Sequence, residues 1–145
     1  MQTQSSSVSV LNSFLRGEIS AVETYRQALD KVEAAPVRTQ LQDCLQSHAR
    51  RVDVLREQIQ SLGGDPAEGS GVWGAFAKAI EGGAKVLGEK VAIAALEEGE
   101  DHGRNEYRQE LDKLDELTRS FVRARIIPEQ ERTHSTMSQL KRGLA

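Results

Sequence analysis

Cysteine occurs once in this chain, at Cys44, and proline only three times. A lone thiol cannot close an internal disulfide, so the fold has to be held by packing. With so few prolines, long stretches run without a helix breaker. Neither sign of charge dominates: 19 Lys and Arg against 22 Asp and Glu give a formal charge of -3. That balance argues against nucleic acid as the main partner, because a phosphate-binding surface is normally basic. The longest unbroken apolar run, Val91 to Leu96, is far short of the roughly 20 residues a membrane span requires. Met1-Gln2-Thr3-Gln4-Ser5 lacks the basic-then-apolar order of a signal peptide. Together with the single Cys44, this leads to the expectation of a cytoplasmic chain without a membrane partner.

What is present is helix-forming material. Aromatics make up 4% of the 145 residues, whereas Ala, Leu, Glu, Gln and Arg fill long stretches, so propensity favours helix almost everywhere. At 38% hydrophobic and 28% charged residues, the chain can bury a real core as one globular domain over residues 1–145. Leu11, Leu15, Val22, Tyr25, Leu29 and Val32 set a 3.6-residue period from the serines at 5–7 to Glu33. This first helix would be about 40 Å long. After a turn at Ala34-Ala35-Pro36, a second helix carries Val37, Leu41, Cys44, Leu45, His48, Val52, Leu55, Ile59 and Leu62, and Gly63-Gly64-Asp65-Pro66 stops it. A loop over 65–71 and a short helical segment over Val72–Ile80, containing Trp73 and Phe76, lead to a third helix from about Ala84 to Leu117. A fourth helix, with Thr118 as a candidate N-cap, puts Phe121, Ala124, Ile127, Glu131, His134 and Met137 in register. Pro128 should kink it one turn before Glu131.

Within these stripes, polar residues stand where apolar ones belong. Glu100 sits between Ile93, Leu96, Tyr107 and Leu111; Glu18 sits between Leu11, Leu15, Val22 and Tyr25. The pairs Gly17-Glu18 and Gly99-Glu100 are each followed by a tyrosine at the same interval, Tyr25 and Tyr107, an internal repetition. His48 lies on the second stripe, and Glu131-Arg132-Thr133-His134 forms an i, i+3 Glu-x-x-His pair. In an antiparallel hairpin, facing residues are equidistant from the turn. This rule sets His48 level with Glu18 and His134 level with Glu100.

Burying several carboxylates without compensation costs several kcal/mol per ion. A divalent cation compensates them, and mixed carboxylate and imidazole ligands suit iron, manganese or zinc. Glu18, His48, Glu100, Glu131 and His134 are therefore the candidate metal ligands. The competing reading pairs the acids with arginine, for which Arg16, Arg51, Arg104 and Arg132 are available. Tyr25 and Tyr107 read as core aromatics with bonded hydroxyls, Cys44 as a small core residue, and His102 as exposed. Gly17, Gly99 and Gly103 each cost a helix about 1 kcal/mol relative to Ala and suggest close packing beside the acids. Val8, Val10 and Phe14, near one end, suit a homodimer contact.

Gly-Glu with a later Tyr on two helices, His on the second and Glu-x-x-His on the fourth resemble the ferritin-like superfamily, with rubrerythrins closest in motif. The long link with Trp73, followed by Gly99-Glu100-Asp101 and Tyr107, looks more like a small bacterial branch of that superfamily labelled a domain of unknown function. The resemblance implies an all-α, antiparallel four-helix bundle with a long crossover between helices two and three. In metal-binding members it also implies a centre that reacts with oxygen or peroxide. Here that centre would hold one or two iron or manganese ions, oxidising Fe(II) in metal handling or stress protection. This chain departs from the pattern at Leu45, where a di-iron member has a bridging carboxylate; Glu97, one turn before Glu100, is the nearest substitute. The alternative is a metal-free interaction or structural bundle with a buried Glu/His network.

Overall fold

The computed structural model describes residues 4–69 and 88–143. Among these residues the regular structure is all helical, with five α-helices, one 3-10 turn and no strand. The short helix expected over Val72–Ile80, the contact of Trp73 and the helix start at Ala84 lie outside the described residues.

Helix α1 spans Gln4–Leu29 and buries Leu11, Phe14, Leu15, Ala21, Tyr25 and Ala28, the set that a 3.6-residue period places on one side. It ends four residues earlier than the sequence suggests, in two turn bonds from Asp30 and Lys31 back to the carbonyls of Gln27 and Ala28. Arg38 then donates to the carbonyls of Leu29 and Val32, satisfying helix-end acceptors with a cation. Helix α2 spans Ala35–Ser61 and starts with Pro36 in its first turn. It stops in a Schellman motif: Gly63 takes φ 80°, its N–H bonds Gln60, and the N–H of Gly64 bonds the carbonyl of Ile59 at 3.0 Å.

Helix α3 spans Glu89–Glu110 and tightens into a 3-10 turn over Leu111–Lys113. Leu114 is extended, and Asp115 rather than Thr118 is the N-cap of the next helix; its carboxylate accepts the Thr118 N–H at 3.2 Å. The hydroxyl of Ser7 on α1 donates to the same carboxylate at 2.5 Å, tying this corner to the start of the chain. Helix α4 spans Glu116–Arg125 and helix α5 spans Ile127–Gly143. The break falls at Ile126, two residues before Pro128, close to the expected kink. The buried residues are Thr118, Val122, Ile126, Gln130, Thr133 and Met137, not the Phe121, Ala124, Ile127, Glu131 and His134 row expected from the sequence.

Helix α1 packs on α2 and α3, and α5 packs on α3 and α2. Tyr25 meets Glu100 while Tyr107 meets Glu18, so moving up α1 moves down α3 and the two run antiparallel. The buried apolar side chains form two clusters. One is built around Tyr25, Leu41, Ile93, Leu96 and Met137, the other around Leu11, Phe14, Leu55, Ile59, Leu114 and Ile126. Each fully buried Leu or Ile contributes roughly 1.5–3 kcal/mol. Phe14 is buried, and Val8 and Val10, partly buried, pack against the second cluster. No helix among the described residues is long and apolar enough to cross a membrane.

Candidate functional site

Between the two apolar clusters lies a polar layer. α1 contributes Glu18, α2 contributes His48 and Arg51, α3 contributes Glu100, and α5 contributes Gln130 and Thr133; each of these residues is at most 4% exposed. His48 bridges the two carboxylates: Nδ1 stands 2.5 Å from Glu18 Oε1 and Nε2 stands 2.8 Å from Glu100 Oε2. Ionised carboxylates only accept, so a ring bonded to both carries both protons.

The remaining oxygens are also committed. Tyr107 donates to Glu18 Oε2 at 2.6 Å and Tyr25 to Glu100 Oε2 at 2.5 Å. Thr133 donates to Glu100 Oε1 at 2.9 Å. Arg51 reaches Glu18 Oε2 at 3.2 Å, the Ser47 hydroxyl at 3.0 Å, the Glu129 carbonyl at 3.1 Å and Thr133 Oγ1 at 2.7 Å. Gln130 donates to the backbone carbonyl of Glu100. Two carboxylates are thus balanced by one imidazolium and one guanidinium, and the layer is neutral.

The titration behaviour follows from this balance. Burial pushes the Glu18 carboxyl up, but Arg51, His48 and the Tyr107 hydroxyl outweigh it and hold the group at about 2. Glu100 is likewise lowered: burial opposes ionisation, and His48, Arg51 and Tyr25 overcome it. Burial and Arg51 press His48 down, yet Glu100 and Glu18 raise it above its ordinary value. Both tyrosines are pushed well up by burial and by the carboxylate each one serves, so they stay protonated donors. Burial, then Glu100, lifts the Cys44 thiol to about 12, which makes it an inert core residue.

A cavity of about 80 Å³ between α1 and α3, lined in part by Ser13, Gly17, His102, Gly103 and Glu106, reaches this layer. The side of Gly17 is open enough that a Cβ there would meet only Glu106 Oε1, at 3.8 Å. His102, expected to be exposed, is half-buried in the wall of this cavity.

The structure brings Glu18, His48 and Glu100 together and leaves the other two sequence candidates outside. Glu131 faces solvent and pairs with Arg108 at 3.5 Å, both side chains being about half exposed. His134 lies on the outer side of α5, where Nε2 meets Asp101 Oδ1 at 2.5 Å. The expected convergence of all five is therefore corrected: the buried row runs through Thr118, Val122 and Ile126, off the expected row already ahead of the break. That row turns Gln130 and Thr133 inward, one residue before each member of the Glu-x-x-His pair. Sequence reasoning had Arg51 among its available arginines but gave no site role to Thr133, Gln130 or Asp101. Threonine and glutamine on a stripe carry no signal beyond ordinary helix content.

A second group forms where His134 ends up. Ligand atoms of Glu97, Asp101 and His134 lie within 4.8 Å of one another, a geometry in which the three can hold a metal ion. Lys141 and Ser138 approach Glu97 at 3.3 and 3.4 Å, and Arg104 stands 3.4 Å from His134 Nδ1.

Fold and site together define an all-helical protein with a buried Glu/His network and a carboxylate–histidine cluster beside it. The family described as a domain of unknown function (DUF2383) matches residues 6–113, well over half of the chain, and the chain belongs to that family. The match covers α1 from its third residue, and all of α2, α3 and the 3-10 turn. No curated protein and no solved structure matches the chain.

Proposed function

We propose that residues 1–145 form a single ferritin-like, antiparallel four-helix bundle whose interior is a metal-free, charge-neutral lock on helix register. The protein then works, in the cytoplasm, as a structural or interaction protein and not as an Fe(II) oxidase. The helix directions support the bundle: α2 and α3 both run antiparallel to α1, the arrangement that a ferritin-like bundle with a long crossover between its second and third helices requires.

The observation that carries the reading is Arg51. A carboxylate-bridged di-metal centre needs a Glu-x-x-His pair from each of two helices and a Glu from each of the others. Here α2 offers Leu45 and His48, and α5 offers Gln130 and Thr133. A guanidinium, 2% exposed, together with the His48 imidazolium already balances the two carboxylates that remain. Two divalent ions added to this neutral layer would leave the interior strongly positive, at a cost of several kcal/mol per uncompensated charge. Iron or manganese in the core therefore does not fit the donor set as it stands.

The test is anaerobic Fe(II) loading of the full chain without a polyhistidine tag, followed by desalting and metal analysis, beside the Glu100→Gln variant. Iron held by the core should amount to less than about 0.2 per chain, so the two proteins should retain the same amount. One or two irons per chain that disappear with Glu100→Gln would overturn the reading.

A further inference from the structure

The cluster outside the core has the properties the core lacks. Glu97 and Asp101 are i, i+4 neighbours on α3, so their carboxylates stand one above the other on a single helix face. His134 comes from α5, across the groove between the two helices, and presents Nε2 to Asp101 Oδ1. Their side chains are 15%, 41% and 12% exposed, so solvent reaches the group while packing holds Glu97 and His134 in place. Among the described residues, no buried cation balances these acids. Their positive partners, Lys141 and Arg104, are 49% and 28% exposed, so water screens both pairs.

We propose that Glu97, Asp101 and His134 form a binding site for one divalent transition-metal ion of the zinc class, clamping α5 to α3. The inference goes beyond the metal-free core and does not depend on it. Around a four-coordinate zinc with bonds of about 2.0–2.2 Å, donor atoms lie roughly 3.4 Å apart. Atoms already within 4.8 Å of one another reach that arrangement by side-chain adjustment.

An incoming ion takes the Nε2 lone pair of His134 and one oxygen from each carboxylate. The bond between His134 and Asp101 opens to admit it. Arg104 is a donor only, so in the free protein His134 Nδ1 accepts from it and Nε2 carries the ring proton. On binding, that proton passes through solvent to Nδ1 and the Arg104 side chain turns outward. The two carboxylates neutralise the ion, and the fourth position stays open to water. An imidazole donor selects zinc, nickel or cobalt over magnesium and calcium, which take oxygen ligands.

The experiment is calorimetric titration of the tag-free full chain with zinc chloride, alongside magnesium chloride, calcium chloride, three site variants and a His102→Ala control. The expected result is one zinc per chain at micromolar affinity, at least 100-fold tighter than magnesium or calcium. His134→Ala and Asp101→Asn should each weaken zinc at least tenfold. The near-isosteric Glu97→Gln keeps the test open should His134→Ala fold poorly, and it should weaken zinc by a similar factor. Absence of zinc uptake at these concentrations would overturn the proposal. So would uptake unchanged in all three variants, loss confined to a His102→Ala control, or magnesium binding as tight as zinc.

Discussion

Replacing Arg51 by methionine tests the physical basis of the core most directly. Methionine is unbranched and reaches about as far as the Arg51 Nε, so the change removes the charge and the donors while keeping an apolar stem. The bonds to Glu18 at 3.2 Å and to Thr133 at 2.7 Å disappear, and two carboxylates are left facing one imidazolium. Removing one partner from a buried ion network typically costs 3–5 kcal/mol, mostly the penalty of the charge left behind. With a urea slope of about 2 kcal/mol/M, a loss of about 4 kcal/mol lowers the unfolding midpoint by about 2 M at neutral pH. The variant can relieve the excess charge by protonating Glu18 or Glu100, so the deficit should shrink as pH falls toward 4. In the double variant with Glu18→Gln the orphaned charge is gone, and the combined cost should be clearly less than the two single costs added. Urea unfolding followed by circular dichroism measures all three proteins. A single-variant cost below about 1 kcal/mol, or strict additivity in the cycle, would refute the view that Arg51 balances the core.

The pH dependence follows from the same groups. Glu18, held at about 2 against an ordinary 4.5, contributes stability that is present above 4.5 and lost as pH falls toward 2. His48 is raised above 6.5, so its contribution is complete below 6.5 and fades as pH rises through its folded value. Stability should plateau between these limits, and His48→Gln should flatten the alkaline side; a thermal-unfolding series across pH reads both. Glu131→Ala should change unfolding free energy by no more than roughly 0.5 kcal/mol, because its pair with Arg108 at 3.5 Å is solvent-exposed. A loss above 2 kcal/mol in a denaturant curve would place Glu131 in the core after all. Asp115→Ala removes the α4 cap and the Ser7 bond, and should cost about 1–2 kcal/mol by the same measurement.

The three core members that the sequence pointed to share a reason for being legible. Glu18, His48 and Glu100 interrupt long helices whose apolar residues recur without a break, so the phase at each position follows from many neighbours. Glu131 and His134 looked equally well placed, because Phe121, Ala124, Ile127 and Met137 extrapolate through them. That row rests on apolar side chains alone. The buried stripe instead runs at steps of four and three through Thr118, Val122, Ile126, Gln130 and Thr133. Nothing local marks that offset, since Thr118, Gln130 and Thr133 carry no apolar signal. The turn before α4 was misread by three residues for a similar reason: Asp115 and Thr118 both have capping chemistry, and only the extended Leu114 selects Asp115. Arg51 was visible as a candidate partner. Its burial depends on Ser47, Thr133 and the Glu129 carbonyl converging on one guanidinium, which only the assembled helices provide.

The crosswise tyrosines have a mechanical consequence. Each of α1 and α3 carries one hydroxyl and one acid, and each hydroxyl is received by the other helix. If either rod slid by a single turn, both handshakes would come undone together, stranding two acids and two phenols in a dry interior. No halfway stop exists along that motion. Sliding between these rods should therefore be an all-or-nothing event, with Tyr25 and Tyr107 gaining or losing protection from solvent in the same step.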